Sequence, residues 1–265
     1  EIFQFNKLLR IIRKSLEELQ NAVNGFVLMS SALEVMYSCF LYQKVPDLWS
    51  NHAYPSRKSL QSWFVDLCHR ISFLRKWITN GPPNCFEISC FFFPQGFLTS
   101  VLQTHARRYL IAIDKLVFRT TVLNKTDCDD PSQFSAPKIG VYIRGLHLQG
   151  ARWDTESDCL VESHSGELFT EMPTLWLEPI EVASPGTADS TDSSNGSAPT
   201  SAPVVSTPTE KTYDCPVYKT TSRAGSLSTT GISTNFVMTV QLNTGLYRSA
   251  DHWTQRGVAL LLETD

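Results

Sequence analysis

The sequence lacks the motifs by which a chain of 265 residues most often declares its chemistry. Neither G-x-x-x-x-G-K-[ST] nor G-x-G-x-x-G occurs, which excludes the two commonest ways of cradling a nucleotide's phosphates on backbone N–H groups. There is no G-x-S-x-G elbow to hold a strained nucleophile and no H-E-x-x-H to set a zinc pair on one helix face. Charge of one sign is not in excess: 23 Lys and Arg stand against 26 Asp and Glu, a net charge of −3. A nucleic-acid binder needs a basic stripe for the phosphates, so that class is set aside. No apolar run approaches the roughly 20 residues that span a bilayer, and no basic-then-apolar leader opens the chain. Neither nucleic acid nor membrane is therefore expected as a partner. The seven cysteines, at 39, 68, 85, 90, 128, 159 and 215, are odd in number, irregular in spacing and without a C-x-x-C. They suggest neither a disulfide framework nor a metal site, and point to a reducing, intracellular setting in which the triplets at Asn124 and Asn195 are inert.

What is present is organised around residues 91–114, FFFPQGFLTSVLQTHARRYLIAID. Three phenylalanines end at Pro94, which is tolerated in a first helical turn because its missing N–H had no partner there. Phe97, Leu98, Val101, Leu102, Ala106 and Tyr109 recur at three- and four-residue steps and give one helix face an apolar stripe. Arg107 and Arg108 fall in the last turn, where cations suit the negative end of the helix dipole. Before this hinge the period is helical; after Asp114 it alternates.

The first helix is the most regular. Phe5, Leu9, Ile12, Leu16, Leu19, Val23 and Phe26 form one seam, with Ile2, Phe3, Leu8 and Ile11 widening it. Asn24-Gly25 marks its end, which favours a helix packed on a domain over a coiled coil. So wide a stripe predicts that Ile2, Leu8 and Ile11 face something outside the domain. The uncapped start suggests a piece of a longer chain. Ser31-x-x-Glu34 reads as a capping box for a second helix, and Pro46 as a break. A third helix is predicted over 60–80, stopped by Asn80-Gly81-Pro82-Pro83. Strands are predicted at 116–122, 138–154 (bent at Gly145 and Gly150), 173–180, 215–221, 235–242 and 257–263. The expected fold class is thus α+β, a helical subdomain at 1–112 followed by a six-stranded antiparallel β-barrel at 113–265. Residues 183–210 are rich in Ser, Pro and Thr, cannot offset their ordering entropy by burial, and read as a flexible insertion.

Candidate chemistry is sparse. His69, three residues after Asp66, has half a metal site's spacing, but no second histidine stands at a helical step. His105 is expected to contact a carbonyl or Tyr109 rather than act as a base. Residues 228–234, STTGIST, read as a loop held by side-chain-to-backbone hydrogen bonds, with phosphate binding as the sharper alternative. Arg152 either stacks on an aromatic ring or forms an exposed salt bridge. No catalytic, cofactor-binding or metal residue is assigned, and no cofactor is expected.

The segments FNKLLRIIRKSLEELQNAVNGFVLMSSALE, KVPDLW, AYPSRKSLQSW, FFFPQGFLTSVLQTHAR, IGVYIRGLHLQGARWD, CPVYKT, LSTTGISTNFV and HWTQRGVALLLETD run in order through nearly the whole chain. Together they resemble the C-terminal domain of dynein heavy chains of the axonemal type. The resemblance implies a non-catalytic domain lying on the face of the AAA+ ATPase ring opposite the mechanical linker. There it would brace neighbouring ring modules of the same heavy chain and tune how nucleotide state passes round. ATP hydrolysis and microtubule binding would belong to upstream segments. Other dynein heavy, intermediate and light chains are the implied partners, and the cytoplasm, cytoskeleton and ciliary or flagellar axoneme the implied location. Asp265 would stand at or near the C-terminus of the heavy chain. The pattern departs at Glu87 and Cys90, where the family usually has tryptophan and glycine, at Arg57, Ser59 and Gln61, and at Ile232. None touches a catalytic role, since the family places none here. The alternatives are a stand-alone β-barrel binding module, which needs a formed pocket, and a cryptic enzyme, which needs converging polar groups.

Overall fold

A computed structural model describes residues 1–123, 135–181, 212–225, 233–245 and 248–264. The expected insertion at 183–210 and most of the 228–234 turn lie outside the described residues. Four of the helices follow the sequence closely. Helix α1 (Ile2–Val23) ends at Asn24, and Gly25 then takes a positive φ of 77°. Helix α2 (Ser31–Leu41) begins one residue earlier than the capping box requires: its N-cap is Ser30, whose Oγ accepts from the Leu33 N–H. A single turn, α3 (Asp47–Ser50), follows Pro46, and α4 (Leu60–Asn80) ends at Gly81. Helix α5 (Pro94–Tyr109) carries Pro94 in its first turn and Arg107 and Arg108 in its last, as expected.

These helices enclose an aromatic core. Trp49 and Tyr54 each stack on Trp63, at 6.0 and 6.2 Å, and Phe5 meets Phe92 edge-on at 4.6 Å. Buried Ser15 accepts a 2.9 Å bond from Trp49 Nε1 and donates to the Ile12 carbonyl, so the indole N–H is not left unpaired.

The strands are β1 (Cys85–Glu87), β2 (Leu116–Val122), β3 (Val141–Arg144), β4 (His147–Gln149), β5 (Arg152–Asp154), β6 (Cys159–Val161), β7 (Phe169–Glu171), β8 (Leu175–Glu181), β9 (Thr212–Tyr218), β10 (Phe236–Asn243) and β11 (Ala259–Leu261). They do not close into a barrel. One sheet has the order β1-β3-β8-β2, a second β10-β9-β11-β4-β7, and β5 pairs with β6 alone. The sheets are mixed, since β1 runs parallel to β3 and β11 parallel to β9. The expectation of a single six-stranded antiparallel barrel is therefore overturned.

The cause lies in the stretch expected as one strand over 138–154. Gly145 and Gly150 both take a φ near 80°, which breaks it into β3, β4 and β5. Each piece then joins a different sheet, so no single hydrogen-bonded ladder can run round to its start. The division at the hinge is also less clean than the periodicity suggests. β1 precedes the hinge, and a short helix, α6 (Ala250–Gln255), interrupts the strands after it. The sheets share a second core around Ile143, Leu148, Leu175, Val240, Trp253 and Leu260.

The phenylalanine run joins the two cores. Phe91 stacks on Phe97 at 4.5 Å and meets Trp77 edge-on, while Phe92 enters the helical core and Phe93 is left half exposed. The Glu1 carboxylate accepts from the Phe92 and Phe93 N–H groups at 2.8 and 3.0 Å, tying the start of α1 to the hinge.

His147 on β4 gives the sheets a pH dependence. Burial, with Lys58 acting in the same sense, outweighs Glu171 across the strand pair and the Leu261 backbone, and holds the imidazole below its ordinary 6.5. The unfolded chain thus takes up a proton that the folded chain resists. This contribution to stability is full above about pH 6.5 and is lost as pH falls from there through the folded value. Melts between pH 7.5 and 5.5 are expected to show His147→Gln with a shallower pH slope than the parent, by no more than about 1.4 kcal/mol per pH unit. Equal slopes would remove His147 as the source.

Candidate functional site

The described residues bring together three arrangements that sequence spacing does not show. The first is a buried ion network that fastens α4 to the end of β11. Arg70 is 4% exposed, and its guanidinium serves three elements at once. Nε donates to Asp66 at 2.6 Å, Nη2 to Glu263 at 3.3 Å, and Nη1 to the Ser89 carbonyl. Lys58 adds 3.1 and 3.8 Å pairs to Asp66 and Glu263, and the Ser56 hydroxyl donates to Glu263. The guanidinium lies over the Tyr54 ring, 3.6 Å from its centroid.

Burial alone would raise the Asp66 carboxyl, but Arg70, Tyr54 and Lys58 outweigh it and hold it below its ordinary value. For Glu263 burial wins over Ser56, Lys58 and Arg70, and the carboxyl is pushed up. Burial also pushes the Tyr54 phenol far up, so it stays neutral. A fan of acceptors around one planar cation suits a joint between layers, and the cavity that Tyr54, Arg70 and Glu263 line is only about 20 Å³.

The second arrangement is an open flank on α1. The helix buries Phe5, Leu8, Ile12, Ser15, Leu19 and Ala22. Leu8, expected to face outward, is completely buried, and Ile11 packs against the helical core. What remains open is Ile2, Leu9, Leu16 and Val23, a heptad-spaced row beside the buried stripe, with Phe3, Phe26, Val27 and Leu28 near its two ends. Ile2 and Leu9 line a groove of about 230 Å³ with Ile71 and Ile78 of α4. Exposed Arg13–Glu17 and Lys14–Glu18 pairs mark the water-facing side. Among the described residues, sixteen of the 22 large apolar side chains left exposed lie within 1–80, so most of the uncovered surface belongs to α1, α2, α3, α4 and the turns that join them.

The third is a cleft of about 700 Å³ between α4, the 81–85 turn and Arg144. At its edge His69 Nε2 meets Glu87 Oε1 at 2.7 Å, Arg144 holds Glu87 Oε2 at 3.2 Å, and the buried Cys90 thiol lies close by. Burial, and then Glu87, push that thiol up to about 12.

The remaining candidates fall apart in space. Asp66 turns to Arg70 and away from His69's role. His105 meets the Tyr109 ring at 4.4 Å, tilted by 38°, one of the two contacts expected of it. Arg152 pairs with Asp154 at 3.6 Å, partly buried rather than exposed as in the salt-bridge alternative. Of the 228–234 turn, Ser233 and Thr234 are described; Ser233 Oγ donates to the Arg223 carbonyl and accepts from the Asn235 N–H, the loop-holding pattern. No helix among the described residues is long and apolar enough to cross a membrane.

The sequence profile of the family formed by the C-terminal domain of the dynein heavy chain matches residues 1–262. Over its whole length the chain is 42% identical to human dynein axonemal heavy chain 1 and 42% identical to dynein axonemal heavy chain 12 of Rattus norvegicus. Over 99% of its length it is 39% identical to human dynein axonemal heavy chain 6. It spans only 6%, 8% and 6% of those three relatives.

Proposed function

The chain belongs to the family of dynein heavy-chain domains of the C-terminal type, and from that premise we propose that it is the non-catalytic C-terminal domain of an axonemal heavy chain. In this reading it braces the AAA+ ring of an ATP-driven, minus-end-directed microtubule motor and tunes communication between ring modules. ATP and microtubules are handled by other segments of the same heavy chain, with further heavy, intermediate and light chains as partners in the axoneme of a cilium or flagellum.

The observation that carries the reading is the open α1 flank. Ile2, Leu9, Leu16 and Val23 leave a heptad-spaced apolar row in water although α1 already contributes six residues to the core. The relatives are more than ten times longer, and in this reading the ring modules of the same heavy chain cover the row. The ion network fits the same role, because a brace must transmit load between its layers, and Arg70 ties α4 to the β11 end through side chains rather than through a loop.

The test uses a heavy chain truncated before this segment, with the 265-residue chain supplied in trans. Replacing Ile2, Leu9, Leu16 and Val23 by Ser is expected to weaken docking at least tenfold, about the loss of one well-buried apolar side chain. The melting temperature of the 265-residue chain should barely change. Unaltered docking by the fourfold variant would defeat the reading.

A further inference from the structure

We propose that His69, Glu87 and Cys90 form a binding site for one zinc ion, with its fourth position open to the cleft beside α4. The three donors come from three neighbouring elements of this region: α4, β1 and the 3-10 turn at Ile88–Cys90. One nitrogen, one oxygen and one sulfur ligand atom lie within 4.8 Å of one another. Tetrahedral zinc with N and O donors at roughly 2.0–2.2 Å separates those donors by about 3.3 Å, so the 2.7 Å His69–Glu87 contact has to open by well under 1 Å. His69 can make that shift, since its side chain is 55% exposed while Glu87 is 17% exposed and Cys90 fully buried.

The donor set selects the ion. A thiolate excludes magnesium and calcium, which take oxygen ligands, and a mixed N, O and S set suits zinc. Charge also balances: the ion's two positive charges meet one carboxylate and one thiolate, and the thiol proton leaves to solvent on binding. Arg144 grips the far carboxylate oxygen, Oε2, and leaves Oε1 for the metal, an outer-layer contact of the kind that orients a ligand. His69 and Glu87 line the cleft, which provides the entry path and room for water or another donor at the fourth position.

The ion would add a joint between α4 and β1 on the side of α4 away from the helical core. Zinc titration of the chain by calorimetry, with cobalt as the optical probe, tests the site. One Zn²⁺ per chain is expected, and Co²⁺ should show a thiolate-to-metal charge-transfer band with the strong visible absorption of a tetrahedral site. His69→Gln is expected to bind at least about 100-fold more weakly, since removing a ligand costs no less than disturbing the outer contacts that orient one. Cys90→Ser should abolish the charge-transfer band, and zinc should raise the melting temperature of the parent but not of His69→Gln. Cys68→Ser, altering an exposed neighbour on α4, should leave the affinity unchanged. Should Cys90→Ser fail to fold, His69→Gln and Glu87→Gln decide the matter. The proposal is overturned if the parent shows no saturable zinc binding, if both of those variants bind like the parent, or if the band follows Cys68.

Discussion

Arg70→Ala is expected to lower stability by about 3–5 kcal/mol, the cost of leaving buried charge without its partner. For a chain of this size that is a fall of roughly 6–20 °C in melting temperature. The size of the effect follows from what is left behind. Asp66 and Glu263 would face each other across a site with Lys58 as their one nearby cation, and the Ser89 carbonyl would lose its guanidinium donor. Arg119→Ala is the control: Arg119 pairs with Glu178 on β2 and β8, but its side chain is 59% exposed, and such pairs contribute no more than about 1 kcal/mol. Equal losses in the two variants would show that the network does not hold the layers together.

Leu8 and Leu9 make the second comparison, two adjacent leucines of α1 with opposite surroundings. Leu8 is fully buried in the helical core, and Leu8→Ala is expected to cost about 2–5 kcal/mol through lost burial and the cavity left behind. Leu9, 36% exposed beside the Ile78 groove, should cost less than about 1 kcal/mol when replaced by Ala and show its effect in docking instead. Denaturant unfolding and the docking assay together separate the two. A stability loss for Leu9→Ala as large as that for Leu8→Ala would place the flank in the domain's own core.

This pair also shows how far the sequence could be followed. The seam through Phe5, Ile12 and Leu19 was legible because a 3.6-residue period survives whatever packs on it. Which flank of that seam meets water depends on α2, α3 and α4, and no local pattern encodes their approach. The same limit governs the sheets. Gly145 and Gly150 were visible as bends, but strands of three residues such as β1 and β11 carry too little alternation to assign partners. The barrel expectation failed there. At the sites, His69 was visible as a possible ligand, yet its partners Glu87 and Cys90 stand on other elements 18 and 21 positions away, and in sequence they register only as departures from the family pattern. Arg70 and Glu263, 193 residues apart, carried no signal at all before the fold joined them.

The place of β11 inside its sheet has a consequence for how the protein is made. Residues Ala259–Leu261 sit between β9 and β4, pairing antiparallel with His147–Gln149 and parallel with Val217 and Tyr218. Until those residues have left the ribosome, β4 and β9 each present an open edge, and Arg70 waits for Glu263 with its buried acceptor missing. The helical core, built from residues no later than Phe92, has everything it needs long before. Synthesis at roughly 5–20 residues per second therefore leaves the parts ripening at different times, the helices first and the β10-β9-β11-β4-β7 sheet only once β11 has emerged. During that interval the nascent polypeptide exposes strand edges that invite wrong pairing, and holding chaperones would be expected to act on the sheet half rather than on the helices.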